Sequence, residues 1–446
     1  MATLIACCGD TVAAVLNNND VFARGLGGDD MPLMLSSPVL LPLPPLPSRV
    51  SQIGVGNGNL GIVCNDGSLY TIGNNSYGQL GIGCMNKTHT PMEVTKLTLV
   101  MWFGVSGSHC PVRVHNFASG VDHTAILTNI GVFTCGNNFN GILGRKTVAN
   151  ECDTFKRALP QNTNYTLLLH EASHVACGDG HTVVLTKEAL TGRGVVFTWG
   201  VCAYKCLGMD DRRPVVSPRA LPAHLFDGKN IVDVCAGDSH QAAVSDDGTV
   251  FTWGDNQYYQ LGRDKNHNNC MPQCVSFASE GAGTSAPHIV VVRCGRTSTL
   301  MLTQDGELYV TGNPPANSQC FKVPQRLGSE QVPPVLAVGI TNQLVFAIDK
   351  LGALCTWGAG VPCIVDDKAR ARHLAIIPEE YLLLEWDLKG DPVRLDPPWW
   401  RGAKAIAFAM VGHSRLGSGS RASMLDVSVI DIILRFLNAW KDHVLR

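Results

Sequence analysis

The sequence predicts an all-β fold, namely a seven-bladed β-propeller of four-stranded blades with a short C-terminal α-helical extension. Three observations predict it. A short motif recurs seven times, turn residues recur around each copy, and the composition combines 46 glycines with 45% hydrophobic and only 16% charged residues. Many glycines without a collagen period indicate many tight turns and hence many short strands, and the low charge favours a filled core over disorder.

The repeat is carried by one short motif. It runs from an aromatic or small residue through β-forming residues to a glycine, and FTWG is its clearest form. Successive copies lie 46 to 64 residues apart. A period of about fifty residues indicates an array of repeated structural units. The seven copies end at Gly25, Gly73, Gly136, Gly200, Gly254, Gly312 and Gly358.

Turn residues around each copy predict the strands of one unit. A second glycine precedes each copy, and it is followed by a β-rich run such as HTVVLT and a turn such as Asp247-Gly248. Glycine after aspartate supplies the positive φ that a tight hairpin needs. Four copies add a Leu-Gly pair downstream, beginning at Leu80, Leu143, Leu207 and Leu261. Each unit is therefore predicted to be a four-stranded blade, because radial repetition of blades leaves few exposed sheet edges.

The composite pattern GxxHTxxLTxxGxVFTWGxNxxxQLG resembles the repeat of the regulator-of-chromosome-condensation family, whose members form seven-bladed propellers. The resemblance is clearest around His123, His181 and His240 and extends over about residues 1–365. Repeats one, two, six and seven lack the histidine, and repeats six and seven also lack the Leu-Gly pair. We expect a propeller over residues 1–400, with 360–400 closing or covering it, followed by a strand, a turn and an amphipathic helix over 401–446.

The histidines of the repeat are predicted to be structural hydrogen-bonding elements. Catalysis needs a convergent set of groups, whereas these residues recur once per blade. A zinc site at His267, Cys270 and Cys274 is the weaker alternative, since no nearby pair completes four ligands. The glycines at 412–419 have the spacing of a phosphate loop but lack its lysine. The sequence therefore predicts no catalytic residue, no metal site, no cofactor and no enzymatic activity.

Charge and cysteine content limit the partners and the compartment. The net charge is −2 and no basic tail is present, so nucleic-acid binding is not expected. The 17 cysteines lie among apolar residues and their number is odd, which favours a reducing compartment, that is, an intracellular location in the cytoplasm or nucleus. No apolar run reaches the length of a membrane span. The Pro44-x-x-Pro47-x-Arg49 stretch is interpreted as the first link between blades in preference to a polyproline docking motif.

The C-terminal segment contains the candidate partner-binding residues. Apolar side chains recur there at helical spacing, so the helix either folds back onto the propeller or docks a partner. These residues include Leu425, Val429, Ile433, Phe436, Leu437 and Trp440. The sequence predicts a protein–protein interaction scaffold that uses propeller loops and this helix. The resemblance implies the alternative, a regulator of nucleotide exchange on a Ran-like small GTPase, so the partner is either such a GTPase or a larger protein complex.

Overall fold

The structure is a computed structural model. It describes residues 4–8, 11–15, 21–24, 41–83, 93–100, 112–145, 151–157, 171–188, 191–201, 206–210, 213–265, 269–277, 286–313, 320–327, 334–340, 345–349, 354–358, 361–364, 373–377, 382–386 and 392–393.

Within these residues, seven four-stranded antiparallel sheets follow one another along the chain, which confirms the predicted fold class. The first three blades are β1 (Leu4–Cys8), β2 (Thr11–Val15), β3 (Val21–Arg24) and β4 (Leu41–Pro42); β5 (Val50–Val55), β6 (Asn59–Cys64), β7 (Leu69–Asn74) and β8 (Glu93–Leu99); and β9 (Val114–Ser119), β10 (His123–Thr128), β11 (Gly131–Asn137) and β12 (Glu151–Arg157).

The next four blades are β13 (Ala172–Cys177), β14 (His181–Lys187), β15 (Gly194–Gly200) and β16 (Val215–Ala220); β17 (Ile231–Ala236), β18 (His240–Ser245), β19 (Val250–Gly254) and β20 (Gln273–Cys274); β21 (Ile289–Cys294), β22 (Ser298–Thr303), β23 (Leu308–Gly312) and β24 (Phe321–Arg326); and β25 (Val335–Ile340), β26 (Val345–Asp349), β27 (Leu354–Gly358) and β28 (Val361–Ile364). Each of the seven aromatic-to-glycine motifs supplies the third strand of a blade. The sixth and seventh blades have four strands although they lack the Leu-Gly pair.

Three shorter features complete the described chain. A three-stranded sheet consists of β29 (His373–Ile377), β30 (Leu382–Trp386) and β31 (Pro392–Val393), within the segment predicted to close or cover the propeller. Single 3₁₀ turns lie at Phe139–Gly141 and Ala223–Phe226. In the described residues, no helix has the length and apolar character required to traverse a bilayer. Residues 394–446 lie outside the described residues, so the predicted C-terminal strand, turn and helix remain a prediction.

The core consists mainly of the second and third strands. Every residue of β6, β10, β18 and β22 is buried, because each blade packs against a neighbour on both faces. This burial explains why those strands are almost continuously apolar instead of alternating. The largest fully buried side chains include Trp199 and Trp253 of the third strands.

The innermost strands close the ring. Each of β1, β5, β9, β13, β17, β21 and β25 contacts the next in that order, and β25 also contacts β1. The upstream glycines lie where neighbouring strands come closest. A Cβ atom on Gly56, Gly120, Gly178 or Gly237 would lie 2.2 to 2.5 Å from the carbonyl oxygen of the matching glycine in the next blade. Glycine is thus required at these positions by close approach of two backbones.

The Leu-Gly loops attach to the third strands by a repeated hydrogen bond. In each case a threonine hydroxyl of the third strand donates to the leucine carbonyl nine residues later, at 2.7 to 3.1 Å. The leucine side chains are buried, so the loop is anchored by both its backbone and its side chain. The pairs are Thr71 with Leu80, Thr134 with Leu143, Thr198 with Leu207, and Thr252 with Leu261.

We predict that Gly178→Ala destabilises the protein by at least about 2 kcal/mol, because the new Cβ would overlap backbone of the next blade. That Cβ would lie 2.4 Å from the carbonyl oxygen of Gly237 and 2.1 Å from Cε1 of His181. Gly180→Ala is the matched control in the same turn, since its Cβ would meet nothing nearer than 3.4 Å. Urea unfolding followed by tryptophan fluorescence measures the free energy of unfolding of both variants. Equal losses of stability would contradict the inference that the close approach of two backbones requires glycine at position 178.

Candidate functional site

The inner strands of all seven blades line a central channel that contains a cavity of ≈ 540 Å³. Its side chains form three levels along the strands. We call them the mouth, the cysteine belt and the distal belt. The mouth lies where each first strand turns into the second strand.

The mouth carries four types of side chain at one repeated backbone position of five described blades. This position directly follows the upstream glycine of the repeat, and it is occupied by Asn57, Val121, Asp179, Asp238 and Arg296. Backbone hydrogen bonds join neighbouring turns, for example from Asn57 N to Gly120 O and from Asp179 N to Asp238 O, each 3.2 Å long. The backbone of the mouth is therefore held from blade to blade while its side chains vary.

Negative charge predominates at the mouth. Burial and the neighbouring Asp238 together raise the pKa of Asp179 to about 6, although Arg296 opposes the shift. Burial also raises the pKa values of Asp122 and Asp238. Arg296 forms the single ion pair found among the described mouth residues, with its Nε 3.6 Å from Oδ2 of Asp238. The carboxylates thus outnumber the cation near them, and a basic group placed at the mouth would be favoured.

The cysteine belt lies two or three residues before the mouth position on the same strands. It consists of Cys7, Cys8, Cys177, Cys235 and Cys294. Burial raises the pKa values of the Cys8 and Cys177 thiols to about 12, so both are neutral at ordinary pH. The Sγ atoms of Cys235 and Cys294 lie 2.7 Å apart across the boundary between the fifth and sixth blades.

The distal belt lines the other end of the channel with paired polar groups. The side-chain amide of Gln52 donates to Oδ1 of Asn116 at 2.9 Å. Nη1 of Arg293 lies 3.2 Å from Oδ2 of Asp233. Burial lowers the pKa of His174 beside them, although the carboxylate of Asp233 opposes that effect. These pairings join neighbouring blades, so the distal belt reinforces the ring.

The histidines of the repeat form structural hydrogen bonds, as predicted, and those of His123 and His240 join neighbouring blades. Nε2 of His123 lies 3.0 Å from the hydroxyl of Thr182, and Nε2 of His240 lies 2.9 Å from the hydroxyl of Thr299. In the remaining blade, Nδ1 of His181 lies 3.4 Å from Sγ of Cys206, which belongs to the same blade. Burial lowers the pKa of His123 to about 4 and that of His181 to about 3, so both rings are neutral at pH 7.

The residues singled out in the sequence fall in different places. The six candidate partner-binding residues from Leu425 to Trp440 lie outside the described residues, as does His267. Among the described residues, no group of three or more potential ligands could hold a metal ion. Pro44 and Pro47 are exposed in the link between β4 and β5, as the interpretation of this stretch as a link predicted.

Sequence analysis did not identify the mouth or the cysteine pair. The mouth had a usable signal, because an alignment of the seven repeats on their upstream glycine places Asp179, Asp238 and Arg296 in one column. The pair had no such signal. Cys235 precedes its glycine by two residues and Cys294 by one, so they fall in different columns and meet only because adjacent strands are staggered.

Comparison with protein families identifies the repeat. A family model described as the regulator of chromosome condensation (RCC1) repeat matches residues 66–127, 131–185, 193–244 and 247–302, together about half of the chain. A second model with the same description matches residues 231–260. The matched segments lie in blades two to six.

Three curated relatives are similar to parts of the chain. The chain is 28% identical over 267 residues to the E3 ubiquitin-protein ligase HERC2 of Homo sapiens, covering 59% of this chain and 5% of that protein. It is 27% identical over 265 residues to the ultraviolet-B receptor UVR8 of Arabidopsis thaliana, covering 59% and 53%. It is 31% identical over 203 residues to the RCC1-like G exchanging factor-like protein of Homo sapiens, covering 45% and 40%. The chain therefore spans at most about half the length of these relatives.

Two solved structures have a similar fold. Human WBSCR16 superposes with a TM-score of 0.59 at 23% identity, covering 73% of this chain and 80% of that chain. Yeast RCC1 (Prp20), in its complex with Kap60, superposes with a TM-score of 0.57 at 19% identity, covering 76% and 78%. At these identities the similarity establishes the propeller fold.

We predict that acid destabilises the wild-type chain more than the variant His123→Asn. Asparagine is chosen because blade two carries it at the equivalent position, as Asn59. Below pH 6.5 the unfolded chain binds a proton on His123 that the folded chain binds only near pH 4, so stability falls across this interval. The difference in unfolding free energy, wild type minus variant, should fall by up to about 1.4 kcal/mol per pH unit. Denaturant unfolding between pH 7 and 4 measures it, and parallel profiles would contradict a neutral buried ring.

Proposed function

The chain belongs to the regulator of chromosome condensation (RCC1) repeat family, and on that premise we propose that it is a protein-interaction scaffold. It binds a protein partner with the face of the ring that contains the channel mouth. The proposal rests on one repeated, hydrogen-bonded backbone position whose side chain varies around the ring, namely Asn57, Val121, Asp179, Asp238 and Arg296. A fixed frame with variable side chains is suited to recognising a surface, since the loops are already ordered before binding.

The binding face, which we call the mouth face, consists of two sets of loops. The first set comprises the turns between first and second strands, and the second set comprises the loops that follow the third strands. Antiparallel pairing places both at the same end of the blades. Backbone hydrogen bonds connect them, as from Asn74 N to Gly58 O and from Asn137 N to Asp122 O, both 2.8 Å long.

Exposed aromatic side chains lie on this face. Phe139 is 61% exposed and Tyr258 is 43% exposed, each in a loop after a third strand. Aromatic residues contribute strongly to protein interfaces because a large apolar area is buried at small cost in side-chain entropy. Nearby, Nζ of Lys265 lies 4.5 Å from the centre of the Tyr259 ring, so the second tyrosine of the loop is already engaged by a cation.

The charge of the mouth indicates the chemistry of the partner. Asp179 and Asp238 carry negative charge in a partly buried setting that a cation would relieve. A lysine or arginine side chain of the partner supplies that cation, and the aromatic loops supply apolar contact around it. We propose that this role is non-enzymatic and involves no catalytic step. The C-terminal helix predicted over 401–446 is a second proposed docking element.

We predict that the double variant Phe139→Ala/Tyr258→Ala lowers recovery of copurifying partners at least about tenfold, because interface aromatics each contribute a kilocalorie or more. Asp179→Asn should lower it as well, while leaving the fold intact. The matched control is Leu336→Ala, whose side chain is 60% exposed at the opposite end of an inner strand.

Quantitative affinity purification with the full chain measures these variants beside a chain truncated after residue 420. Loss of partners in the truncated chain alone would assign binding to the C-terminal segment and contradict the mouth face. Equal recovery of partners with Leu336→Ala and with the double variant would also contradict binding by the mouth face.

A second candidate is a regulator of a small GTPase. The 31% identity to the human RCC1-like G exchanging factor-like protein favours it. A solved structure of Prp20p, described with its binding properties to Gsp1p and histones, superposes with a TM-score of 0.56 at 19% identity and shares the fold. Exchange requires that the mouth face displace nucleotide from the GTPase, which simple binding does not.

Release of a fluorescent guanine nucleotide from a Ran-like GTPase separates the two candidates. A pure scaffold leaves the release rate unchanged at saturating concentrations of the chain. Acceleration that the double variant Phe139→Ala/Tyr258→Ala abolishes would establish exchange by the mouth face and replace the scaffold proposal.

A further inference from the structure

Two cysteines of the channel wall lie so close together that a small movement would bring their sulfur atoms within bonding distance. Cys235 of β17 and Cys294 of β21 belong to adjacent blades, and their Sγ atoms are 2.7 Å apart. A disulfide bond is 2.03 to 2.05 Å long, so the sulfurs need to approach by only about 0.7 Å. Both strands are held in the closed ring, so the backbone already places the two side chains together.

The number of ligands argues against a shared metal ion. Structural zinc takes four protein ligands, and the pair supplies two. Among the described residues there is also no group of three or more metal-binding side chains. The pair is therefore arranged for a bond between the sulfurs.

A proton acceptor lies beside the pair. The hydroxyl of Thr299 donates to the carbonyl oxygen of Gln260 at 2.8 Å, so it has no proton left for Nε2 of His240, which lies 2.9 Å away. Nε2 must therefore carry the ring proton, which leaves a lone pair on Nδ1. Nδ1 of His240 is buried and has no hydrogen-bond partner within the described residues. His240 and Cys294 lie close enough to shift each other's pKa, so the ring is a basic group beside the pair.

Electrostatics distinguish the two thiols. Burial opposes ionisation of Cys294, but Cys235 and His240 outweigh it and lower the pKa of Cys294. Burial, together with Cys294, raises the pKa of Cys235. The pKa of His240 is raised by Cys294 in spite of burial. Cys294 is also the more accessible of the two, since it is partly exposed to the channel whereas Cys235 is buried. The arrangement fits an attacking cysteine and a resolving cysteine.

We propose that Cys235 and Cys294 are a redox-reactive dithiol that hydrogen peroxide converts into a disulfide joining the fifth and sixth blades. Cys294 transfers its proton to His240 and its sulfur attacks one peroxide oxygen. An S–O bond forms, the O–O bond breaks, and the leaving hydroxide becomes water by taking the proton from His240. Cys235 then attacks the sulfenic sulfur, the S–S bond forms, and the second water leaves with the proton of Cys235. Two thiols and one peroxide thus give one disulfide and two waters.

The experiment uses the full reduced chain treated with one equivalent of hydrogen peroxide. Free thiols are then alkylated, and peptides are analysed by mass spectrometry without reduction. We expect a linked peptide pair containing Cys235 and Cys294, and oxidation of Cys294 ahead of the exposed Cys274. Faster oxidation of Cys274, or absence of the linked pair in the wild-type chain, would overturn the proposal.

Variants test the assigned roles. Cys235→Ser should leave Cys294 as a sulfenic acid that dimedone traps, whereas Cys294→Ser should leave Cys235 as an unreacted thiol. Cys64→Ser, at a buried cysteine of blade two, is the matched control and should form the linked pair at the wild-type rate. His240→Asn should slow formation on the order of tenfold or more and move its pH profile, since the proton acceptor is lost.

Unfolding curves of the reduced variants verify that each retains the fold. If a variant fails to fold, the linked peptide pair in the wild-type chain alone decides whether the disulfide forms. Binding of one zinc ion per chain that protects both thiols from alkylation would contradict the proposal. Equal trapping of sulfenic acid at Cys235 and Cys294 would contradict the division into attacking and resolving cysteines.

Discussion

Neighbouring inner strands can meet around the channel only because glycine occupies the point where their backbones come closest. At four successive positions, from Gly56 to Gly237, a single methyl group would overlap the carbonyl of the next blade. This close approach sets the width of the channel, and it brings side chains of different blades within hydrogen-bond distance. The mouth, the cysteine belt and the distal belt all exist because seven strands converge at this spacing. A wider ring would separate the charges of Asp179 and Asp238 and the sulfurs of Cys235 and Cys294.

Between blades, polar side chains of the buried strands hold the ring together. The indole nitrogens of Trp199 and Trp253 donate to backbone carbonyls of the preceding blade, at 2.9 and 3.0 Å. The hydroxyl of Thr124 donates to the carbonyl oxygen of Gln79 at 2.7 Å, also across a blade boundary. Each such bond satisfies a buried polar group that would otherwise destabilise the core. Because these contacts recur with the repeat, the frame is the same from blade to blade, and the mouth position and the outer loops are left to vary.

Strain and reactivity both concentrate at the channel. The carboxylates at the mouth are held together at an electrostatic cost, which a bound cation would relieve, and residues kept in such settings are common where proteins bind others. Deeper in the channel, one histidine differs from its counterparts. His123 and His181 are neutral rings, whereas the pKa of His240 is raised by the thiol of Cys294 in the next blade. The boundary between the fifth and sixth blades therefore carries Asp238 and Arg296 at the mouth and the reactive sulfurs deeper in the channel.

By itself the sequence determined the number of blades, their third strands and their turns, because strand propensity, glycine spacing and hairpin chemistry act over a few residues. The seven motifs from Gly25 to Gly358 all became third strands, and two of the three repeat histidines, His123 and His240, became links between blades. Only the tertiary structure decided which side chains meet across those boundaries. Cys235 and Cys294 are 59 residues apart and occupy different places in their repeats. Their contact depends on the stagger of adjacent inner strands, which arises from the closure of the whole ring and from no local pattern.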